Sequence, residues 1–478
     1  MRIVLVIIML LVMAGLFANA GRQIFLWLML MFRDVSLPLY SILFGVLTAA
    51  VLAAFVVSRI PGIGVHRAVF KIGHYALGAL VYVVIIANAV SALLFMGKLV
   101  RLIPSPVPHR VQLISCLVPL VLIAGLTIYG SIHAGAVRTR RYTVRIDQDQ
   151  ERGRNQSQGQ ERGQNQGQDQ ERGRNQDRTE TLRIALLSDI HLGYVIEETH
   201  LEKVVKAVNG LKPDVICIAG DVFDGDMTSL SDSEKLQALF SQMKAKYGVY
   251  ACLGNHDAGA GYLQMLDFLE DAGIHVLLDE AVVIDQRFVL AGRRDSSPIG
   301  GQGDARKKLE GLPEAEAAPA VVAAPAVVAA PAADTAPAAD TASGADTASG
   351  AHTTAGAHSL PVIVMDHQPG NINEYGSEVD LILCGHTHRG QMFPFNLITR
   401  AVFDVDYGYY RANDSSPQVI VTSGAGTWGP PVRVATDSEI VEINVLVPFI
   451  RKPHTLLDMH KNIVGKSDRF PIDFYLRD

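Results

Sequence analysis

The sequence predicts an α/β domain that follows an N-terminal helical transmembrane region. Three observations support this prediction. Four long apolar segments fill most of the first 136 residues. Beyond residue 180, short apolar runs alternate with segments whose apolar residues recur at helical spacing, a pattern typical of α/β domains. Five of the short runs end in clusters of Asp, Asn and His residues, as ligand sites of α/β sheets do.

The composition narrows the functional classes. A net charge of −6 provides no basic surface for nucleic acid, so we expect no nucleic-acid partner. The four cysteines form neither a C-x-x-C motif nor a disulfide framework, and we interpret them as buried thiols. The length of 478 residues is enough for about two to four domains.

The transmembrane region is expected to contain about four helices, at residues 3–18, 37–58, 72–96 and 111–132. A span needs about 20 apolar residues, and all but the first segment reach that length. Ala18-Asn19-Ala20 follows the first segment and fits a signal-peptidase site, so a retained helix and a cleaved signal both remain open. Residues 24–32 are too short to span and are expected to lie in the interface. Because the spans hold no Asp or Glu, we interpret the region as an anchor.

Lys and Arg counts predict the sidedness of the membrane protein. The side shared by the N-terminus and the α/β domain carries eight basic residues: Arg2, Arg59, Arg67, Lys71, Arg138, Arg140, Arg141 and Arg145. The opposite side carries five: Arg22, Arg33, Lys98, Arg101 and Arg110. This excess predicts a multi-pass protein of the cell membrane whose α/β domain faces the cytoplasm.

Low-complexity segments interrupt the domain. Residues 137–147 are predicted to form a strand that leads into it, and residues 148–178 repeat a polar Q-E-R-G unit without apolar residues. The domain is assigned to residues 179–447, with an Ala/Pro-rich insertion at 315–358 and a tail at 448–478. We expect both low-complexity segments to be disordered, since neither offers a face to bury.

Strands and helices alternate in the rest of the domain. Helices are predicted at residues 198–211, 233–246 and 262–272. The main strands are predicted at residues 182–188, 215–219, 249–253, 361–365, 381–384, 418–422 and 438–445, with further short strands between 276 and 290.

The polar clusters that follow five of these strands are Asp189-x-His191, Gly220-Asp221-x-x-Asp224, Gly254-Asn255-His256-Asp257, Asp366-His367 and Gly385-His386-Thr387-His388. Each cluster alone has an ordinary interpretation, such as a turn-forming Asp, a helix-capping Asn or a buried core His. The carboxyl ends of strands in an α/β sheet converge at one edge, however. Five clusters in succession therefore favour a single ligand site.

In this order and form, the clusters resemble the motifs of the calcineurin-like metallophosphoesterase superfamily. The resemblance covers residues 182–445 apart from the Ala/Pro-rich insertion. The stretches GHTHRGQ at 385–391, DYGYY at 406–410 and GAGTWGPPVR at 424–433 are similar to a membrane-anchored bacterial branch related to phosphodiesterases and UDP-2,3-diacylglucosamine hydrolases. The resemblance implies a four-layer α/β/β/α sandwich.

The resemblance also implies a dinuclear metal site. Its expected ligands are Asp189, His191 and His388 for the first ion and Asn255, His367 and His386 for the second, with Asp221 bridging. These nitrogen and oxygen ligands suit Mn, Fe or Zn alike. His256 is expected to act as the general acid, or to stabilise charge on the leaving oxygen, and Asp257 to orient it. Asp224 and Asp366 are expected to brace loops rather than to bind metal.

Two departures bear on the substrate. Gly225 follows Asp224 where phosphoprotein phosphatases of the superfamily carry an Arg, which disfavours a phosphoprotein. The apolar stretch at 392–403 either packs beneath a cap or forms an apolar shelf at the bilayer. The expected function is hydrolysis of a phosphodiester or pyrophosphate bond, with a lipid-linked phosphoester as one candidate substrate. The alternatives are a broad phosphomonoesterase and a non-catalytic membrane receptor or scaffold; the sequence leaves the oligomeric state open.

Overall fold

A computed structural model describes residues 2–32, 34–60, 66–146, 179–225, 227–259, 261–308 and 360–448. The low-complexity segments predicted at 148–178 and 315–358 lie outside the described residues, and so does nearly all of the predicted tail. Within the described residues, four long helices precede an α/β domain built on two sheets. The predicted fold class is therefore confirmed.

The N-terminal helices are α1 (Arg2–Met31), α2 (Leu37–Val57), α3 (Arg67–Leu99) and α4 (His109–Ala134). Each is long and apolar enough to cross a membrane. At about 1.5 Å per residue, α3 is about 50 Å long, which exceeds a hydrocarbon core of about 30 Å. Its ends therefore have length to spare outside the apolar layer.

The first helix differs from the prediction. It runs through residue 18 to Met31, so residues 24–32 are not a separate interfacial segment, and the predicted end at 18 is wrong. Polar residues in its middle lower the apolar signal without breaking the helix, because α3 satisfies them. Asn19 Nδ2 donates to Asn88 Oδ1 at 2.9 Å, and Ser91 Oγ donates to Gln23 Oε1 at 3.1 Å.

The α/β domain contains twelve described strands: β1 (Val137–Arg145), β2 (Thr179–Leu187), β3 (Val215–Ala219), β4 (Val249–Cys252), β5 (Ile274–Val276), β6 (Glu280–Ile284), β7 (Phe288–Gly292), β8 (Val362–Met365), β9 (Leu381–Cys384), β10 (Gly408–Tyr410), β11 (Gln418–Val421) and β12 (Ser438–Pro448). The first sheet has the order β1-β12-β2-β3-β4-β5, and the second has the order β10-β11-β9-β8-β7-β6. Strands β2 to β5 are parallel in the first sheet, and β7, β8, β9 and β11 are parallel in the second.

Apolar residues pack the two sheets face to face. Inward side chains such as Leu186 of β2 and Leu383 of β9 belong to one buried cluster. Helices α5 (Glu198–Gly210), α6 (Ser233–Phe240) and α7 (Tyr262–Asp271) cover the outer face of the first sheet. The short 3-10 turn Pro369–Glu374 packs on the outer face of the second sheet. The short helix α8 (Phe395–Val402) follows β9 in the chain.

Helix α6 is shorter than predicted, because it ends at Phe240 instead of continuing to residue 246. The side chain of Asn209, at the end of α5, takes over the backbone groups that follow. Its Oδ1 accepts from Lys244 N and its Nδ2 donates to Gln242 O, both at 2.8 Å. These hydrogen bonds from a distant residue replace the helical hydrogen bonds. The spacing of apolar residues within 233–246 cannot predict them, because Asn209 lies outside that segment.

The transmembrane helices are docked against the α/β domain rather than joined to it by a tether alone. Arg67 and Lys71 of α3 both pair with Glu197, at 3.0 and 2.5 Å. His133 of α4 contacts Asp437 at 2.9 Å. Val432 packs against two glycines, Gly78 of α3 and Gly130 of α4, where an added Cβ would come within 2.7 Å of its methyl groups. Because neither glycine has a side chain, Val432 can approach the backbone of both helices closely.

Candidate metal centre

Five strands bring the predicted ligands together at the junction of the two sheets. Asp189, Asp221 and Asn255 follow β2, β3 and β4 of the first sheet, which are neighbours. His367 and His386 follow β8 and β9, which are neighbours in the second. Because all five strands are parallel to their neighbours here, their carboxyl ends open to one side.

The turns that carry these side chains have an unusual backbone conformation. Five of the seven expected ligands have positive φ without being glycine: Asp189, His191, Asp221, His386 and His388, with φ between 48° and 73°. Residues other than glycine rarely adopt a positive φ, and those that do are concentrated at functional sites. Glycine is required beside them: a Cβ on Gly254 would lie 2.2 Å from Asp221 Oδ1. The local backbone is thus shaped around the ligands.

Asp189, His191 and His388 form the first group of ligand atoms. His191 Nε2 and His388 Nε2 are 3.0 Å apart, and Asp189 Oδ1 lies 3.4 Å from His388 Nε2. Two backbone bonds of 3.0 Å from His386 N hold the Asp189 carboxylate in place. All three residues are buried, and their ligand atoms could surround one ion.

Asn255, His367 and His386 form the second group. Asn255 Oδ1 lies 3.2 Å from His367 Nε2 and 3.0 Å from His386 Nδ1. The other ring nitrogen of His367 contacts Ala219 O at 2.8 Å, which turns Nε2 towards the site. Each side chain thus presents one nitrogen or oxygen to a common point.

Asp221 lies between the two groups. Its Oδ2 is 3.1 Å from His367 Nε2 of the second group and 3.6 Å from His191 Nε2 of the first. Its Oδ1 is occupied by the backbone N–H of His256 at 2.8 Å. This position suits a carboxylate shared by two ions, since one oxygen atom faces both groups.

The electrostatics of the centre fit bound cations. Burial lowers the pKa of His191 and His367, but the surrounding carboxylates outweigh it and raise both values above the ordinary range. The same clusters of carboxylates that stabilise a proton here would stabilise a metal ion. Burial lowers the pKa of His386 to about 3 and that of His388 well below its usual range, so both rings are neutral at pH 7. Neutral imidazole is the form that binds metal.

His256 borders the ligands without joining either predicted set. The centroid of its ring is 5.1 Å from that of His191 and 6.0 Å from that of Trp428. Burial lowers its pKa to about 4, so the ring is neutral at pH 7 and offers one N–H donor.

The acidic residues beside the ligands have distinct contacts. Asp257 accepts hydrogen bonds from the backbone N–H groups of Phe223 and Gly254, at 2.9 and 2.8 Å. Among the described residues no hydrogen bond joins Asp257 to the His256 ring, so its contacts hold two loops together instead of orienting His256. Asp366 pairs with Arg306 at 2.7 Å, which fits its expected bracing role.

Asp224 connects the metal centre to the transmembrane region. Its Oδ1 accepts from Arg59, just beyond the end of α2, at 2.6 Å, and lies 3.5 Å from His191 Nδ1. Arg59 also lies over the rings of Phe55 and Trp428. Sequence reasoning did not assign Arg59 or Trp428 to the site, because Arg59 and Asp224 are 165 residues apart and no local pattern links them.

The ligands open into a cavity of about 650 Å³. One wall carries ligand side chains and His256, and another is apolar, with Met392, Phe395 and Phe403. Helix α8 exposes much of its apolar surface: Leu397, Ile398 and Val402 are each more than half exposed. Within the described residues, most of the apolar stretch at 392–403 is therefore uncovered, whereas Met392 at its start is buried against the transmembrane helices.

Comparisons with known proteins agree with this geometry. The family model described as "Calcineurin-like phosphoesterase" matches residues 182–307. An uncharacterized metallophosphoesterase of Aquifex aeolicus is 30% identical over 266 residues, which are 55% of this chain and 85% of that protein. A zebrafish (Danio rerio) "transmembrane protein with metallophosphoesterase domain" is 30% identical over 55% of this chain, but this match spans only 52% of the zebrafish protein.

A third relative is similar over a shorter stretch. The protein named UDP-2,3-diacylglucosamine pyrophosphatase LpxG of Chlamydia muridarum is 36% identical over 76 residues, which are 16% of this chain and 22% of that protein. The family model, the Aquifex relative and the ligand-bearing strand ends all point to one assignment. The chain belongs to the calcineurin-like metallophosphoesterases, and its apolar helices make it a membrane protein of that family.

Proposed function

We propose that the protein is a membrane-anchored phosphoesterase that uses two divalent metal ions to hydrolyse a phosphodiester or pyrophosphate bond. One observation carries this proposal: seven nitrogen- and oxygen-bearing side chains converge as two groups with the Asp221 carboxylate between them. The donor set suits Mn, Fe or Zn.

Each residue has a separate role in the proposed reaction. Asp189, His191 and His388 would hold one ion, and Asn255, His367 and His386 the other, with Asp221 touching both. Bound ions at such a site lower the pKa of a water molecule and neutralise phosphate oxygens. His256, with its neutral ring on the cavity wall, donates a hydrogen bond that stabilises charge on the oxygen of the leaving group.

Two observations favour a lipid-linked phosphoester as substrate. Phe395 of α8, together with Met392 and Phe403, borders the same cavity as the metal ligands, so an apolar substrate group has a surface beside the reacting phosphate. The partial similarity to a protein named as a UDP-2,3-diacylglucosamine pyrophosphatase agrees with a substrate of that type. The excess of Lys and Arg on the domain side further supports a site that faces the cytoplasm.

Hydrolysis by purified full-length protein tests the proposal. The protein is stripped of metal, reloaded with Mn²⁺, Fe²⁺ or Zn²⁺, and assayed with a monoester (p-nitrophenyl phosphate), a diester (bis-p-nitrophenyl phosphate) and UDP-2,3-diacylglucosamine. A His191→Ala variant, purified in the same way, controls for contaminating phosphatases. We expect the diester or the pyrophosphate to be hydrolysed with the higher kcat/KM.

The alternatives predict other outcomes. Preferred hydrolysis of the monoester would indicate a broad phosphomonoesterase. If no substrate were hydrolysed with any of the metals, the domain would serve for binding only, as in a membrane receptor or scaffold.

A further inference from the structure

The cavity at the metal centre is not formed by the α/β domain alone. Three of its apolar lining residues belong to the transmembrane helices: Phe55 of α2, and Leu77 and Val81 of α3. The opposite wall carries the metal ligands His191, Asp221, Asn255, His386 and His388. One continuous space therefore joins the reacting centre to the surface of two membrane helices.

The position of these residues along α3 places the cavity at the edge of the membrane. The first turn of α3 is outside the apolar layer, because Arg67 and Lys71 pair there with Glu197 of the α/β domain. Leu77 and Val81 follow Arg67 by about 15 and 21 Å along the helix. The apolar end of the cavity thus lies where α3 enters the hydrocarbon region, while the ligands lie on the aqueous side.

The docking of the helices fixes this wall in place. Val432 fits against Gly78, which lies between Leu77 and Val81 in the sequence of α3. Phe55 stacks edge-to-face on Trp428, at 6.1 Å between ring centroids, and Trp428 also borders the cavity. Both helices that form this wall, α2 and α3, therefore pack against the α/β domain, and the wall is part of the site.

We infer that Phe55, Leu77 and Val81 form a subsite for the hydrocarbon chain of an amphiphilic phosphoester whose phosphate lies at the metal centre. The inference rests on the proposed function and adds that the transmembrane helices select the substrate. The occupant follows from continuity: the space begins at phosphate-binding chemistry and ends at an apolar wall level with lipid chains. A cavity of about 650 Å³ is within the range of about 300–1,000 Å³ typical of small-ligand sites.

A binding measurement tests the subsite without turnover. The sequence has two tryptophans, Trp27 and Trp428, so a Trp27→Phe protein reports on the cavity through Trp428 fluorescence. This full-length protein, loaded with Mn²⁺ in phosphatidylcholine nanodiscs, is titrated with butyl-, octyl- and dodecylphosphonate. Each methylene that enters an apolar subsite should tighten binding by about fourfold until the cavity is full.

A matched pair of variants separates the subsite from simple partitioning into lipid. Leu77→Phe/Val81→Phe narrows the subsite and should remove most of the dependence on chain length. Ile72→Phe adds the same ring to α3 at a position that is 67% exposed, and should leave that dependence unchanged. Hydrolysis of a p-nitrophenyl methyl phosphodiester, which has no long chain, should be the same in the Trp27→Phe and Ile72→Phe proteins.

The outcomes distinguish the two proposals. Equal affinity for butyl- and dodecylphosphonate, or equal dependence on chain length in the double variant and in Ile72→Phe, would overturn the subsite. Failure of every protein to hydrolyse the methyl ester would contradict the proposed function alone, since the fluorescence titration still reports on the chain. If the double variant did not fold, Val81→Phe alone should lose a smaller part of the dependence of affinity on chain length. A Val81→Phe protein that kept the full dependence would equally count against the subsite.

Discussion

At the residue scale, a substitution of His256 should affect turnover without affecting metal binding. It lines the cavity beside both groups of ligands but belongs to neither predicted set, and its backbone N–H, not its ring, contacts Asp221. Its ring borders the cavity and can act on the substrate there, and one of its nitrogen atoms lies within 4.8 Å of ligand atoms of His191 and Asp224. We expect His256→Ala to keep its metal content and to lose about 10²–10⁴-fold in turnover, the usual contribution of a positioned acid or base.

A comparison of two leaving groups provides the control for this prediction. A nitrophenolate leaves without protonation, so the loss in His256→Ala should be smaller for nitrophenyl esters than for alkyl esters. Rates for both ester types, with metal content measured on the same samples, provide the comparison. An equal loss for both would remove His256 from the role of stabilising the leaving oxygen.

Asp224 is the second residue with a separable role. It contacts the expected ligand His191 and also pairs with Arg59, whereas Glu197 pairs with Arg67 and Lys71 and lies outside the ligand groups. Loss of a carboxylate that orients a ligand typically costs about 10–100-fold in metal affinity or activity. We expect Asp224→Ala to lose metal affinity by about that factor, as measured by titration of the metal-free protein with Mn²⁺.

Glu197→Ala is the matched control, because it removes ion pairs between the helices and the domain without touching a ligand. It should bind metal as the wild type does. If both variants lost the same affinity, the effect would come from helix docking rather than from the contact of Asp224 with His191.

At the element scale, the first sheet explains how a long polar segment can be inserted beside it. Strand β12 lies between β1 and β2, and Leu446 of β12 is paired with Arg145 on one side and Thr181 on the other. The two strands that flank the insertion therefore do not pair with each other. Their adjoining ends are still only about two strand spacings apart, roughly 10 Å.

This geometry predicts that the insertion is dispensable. Replacing residues 148–178 with a Gly-Ser linker of about four residues should preserve cooperative unfolding and turnover, because such a linker spans roughly 10 Å. Deletion of 315–358 should be equally neutral, since its composition offers no apolar periodicity. Thermal unfolding of each deletion protein checks the prediction, and a lost or broadened transition would show that the deleted segment packs.

At the scale of the whole molecule, docking between helices and domain gives the basic residues a second role. Three of the eight counted on the domain side contact acidic residues of the domain within 4 Å from a membrane helix or the residue just beyond it: Arg59, Arg67 and Lys71. Arg138, Arg140 and Arg141 make such contacts from β1, within the domain itself. Part of the charge excess therefore serves docking, and the cytoplasmic orientation stays a prediction that needs its own measurement.

Protease access to intact cells supplies that measurement. A tag after Asp478 should resist protease added outside, whereas a tag inserted in the loop between α3 and α4 should be cleaved, because the two lie on opposite sides of the membrane. Cleavage of the tag after Asp478 would show that the domain works on substrates outside the cytoplasm.

The features that sequence reasoning found are those with local signals. Strands β3 and β9 lie at the predicted residues because short apolar runs end at Gly220 and Gly385, and the expected ligands follow these turns. The missed features depend on contacts between distant residues. Arg59 reaches Asp224 across 165 positions, and Leu77 reaches the cavity through docking of a helix whose apolar pattern reports only the membrane.

The central claim is that the reaction depends on two metal ions that share Asp221 as a ligand. A metal titration tests this claim most directly. Metal-free full-length protein is titrated with Mn²⁺ while bound metal per chain and phosphodiester hydrolysis are measured together. We predict that turnover appears as the second ion binds, and that Asp221→Asn retains one ion or none and loses turnover with it. Full turnover at one ion per chain, or an Asp221→Asn protein with two ions and the normal rate, would contradict the account.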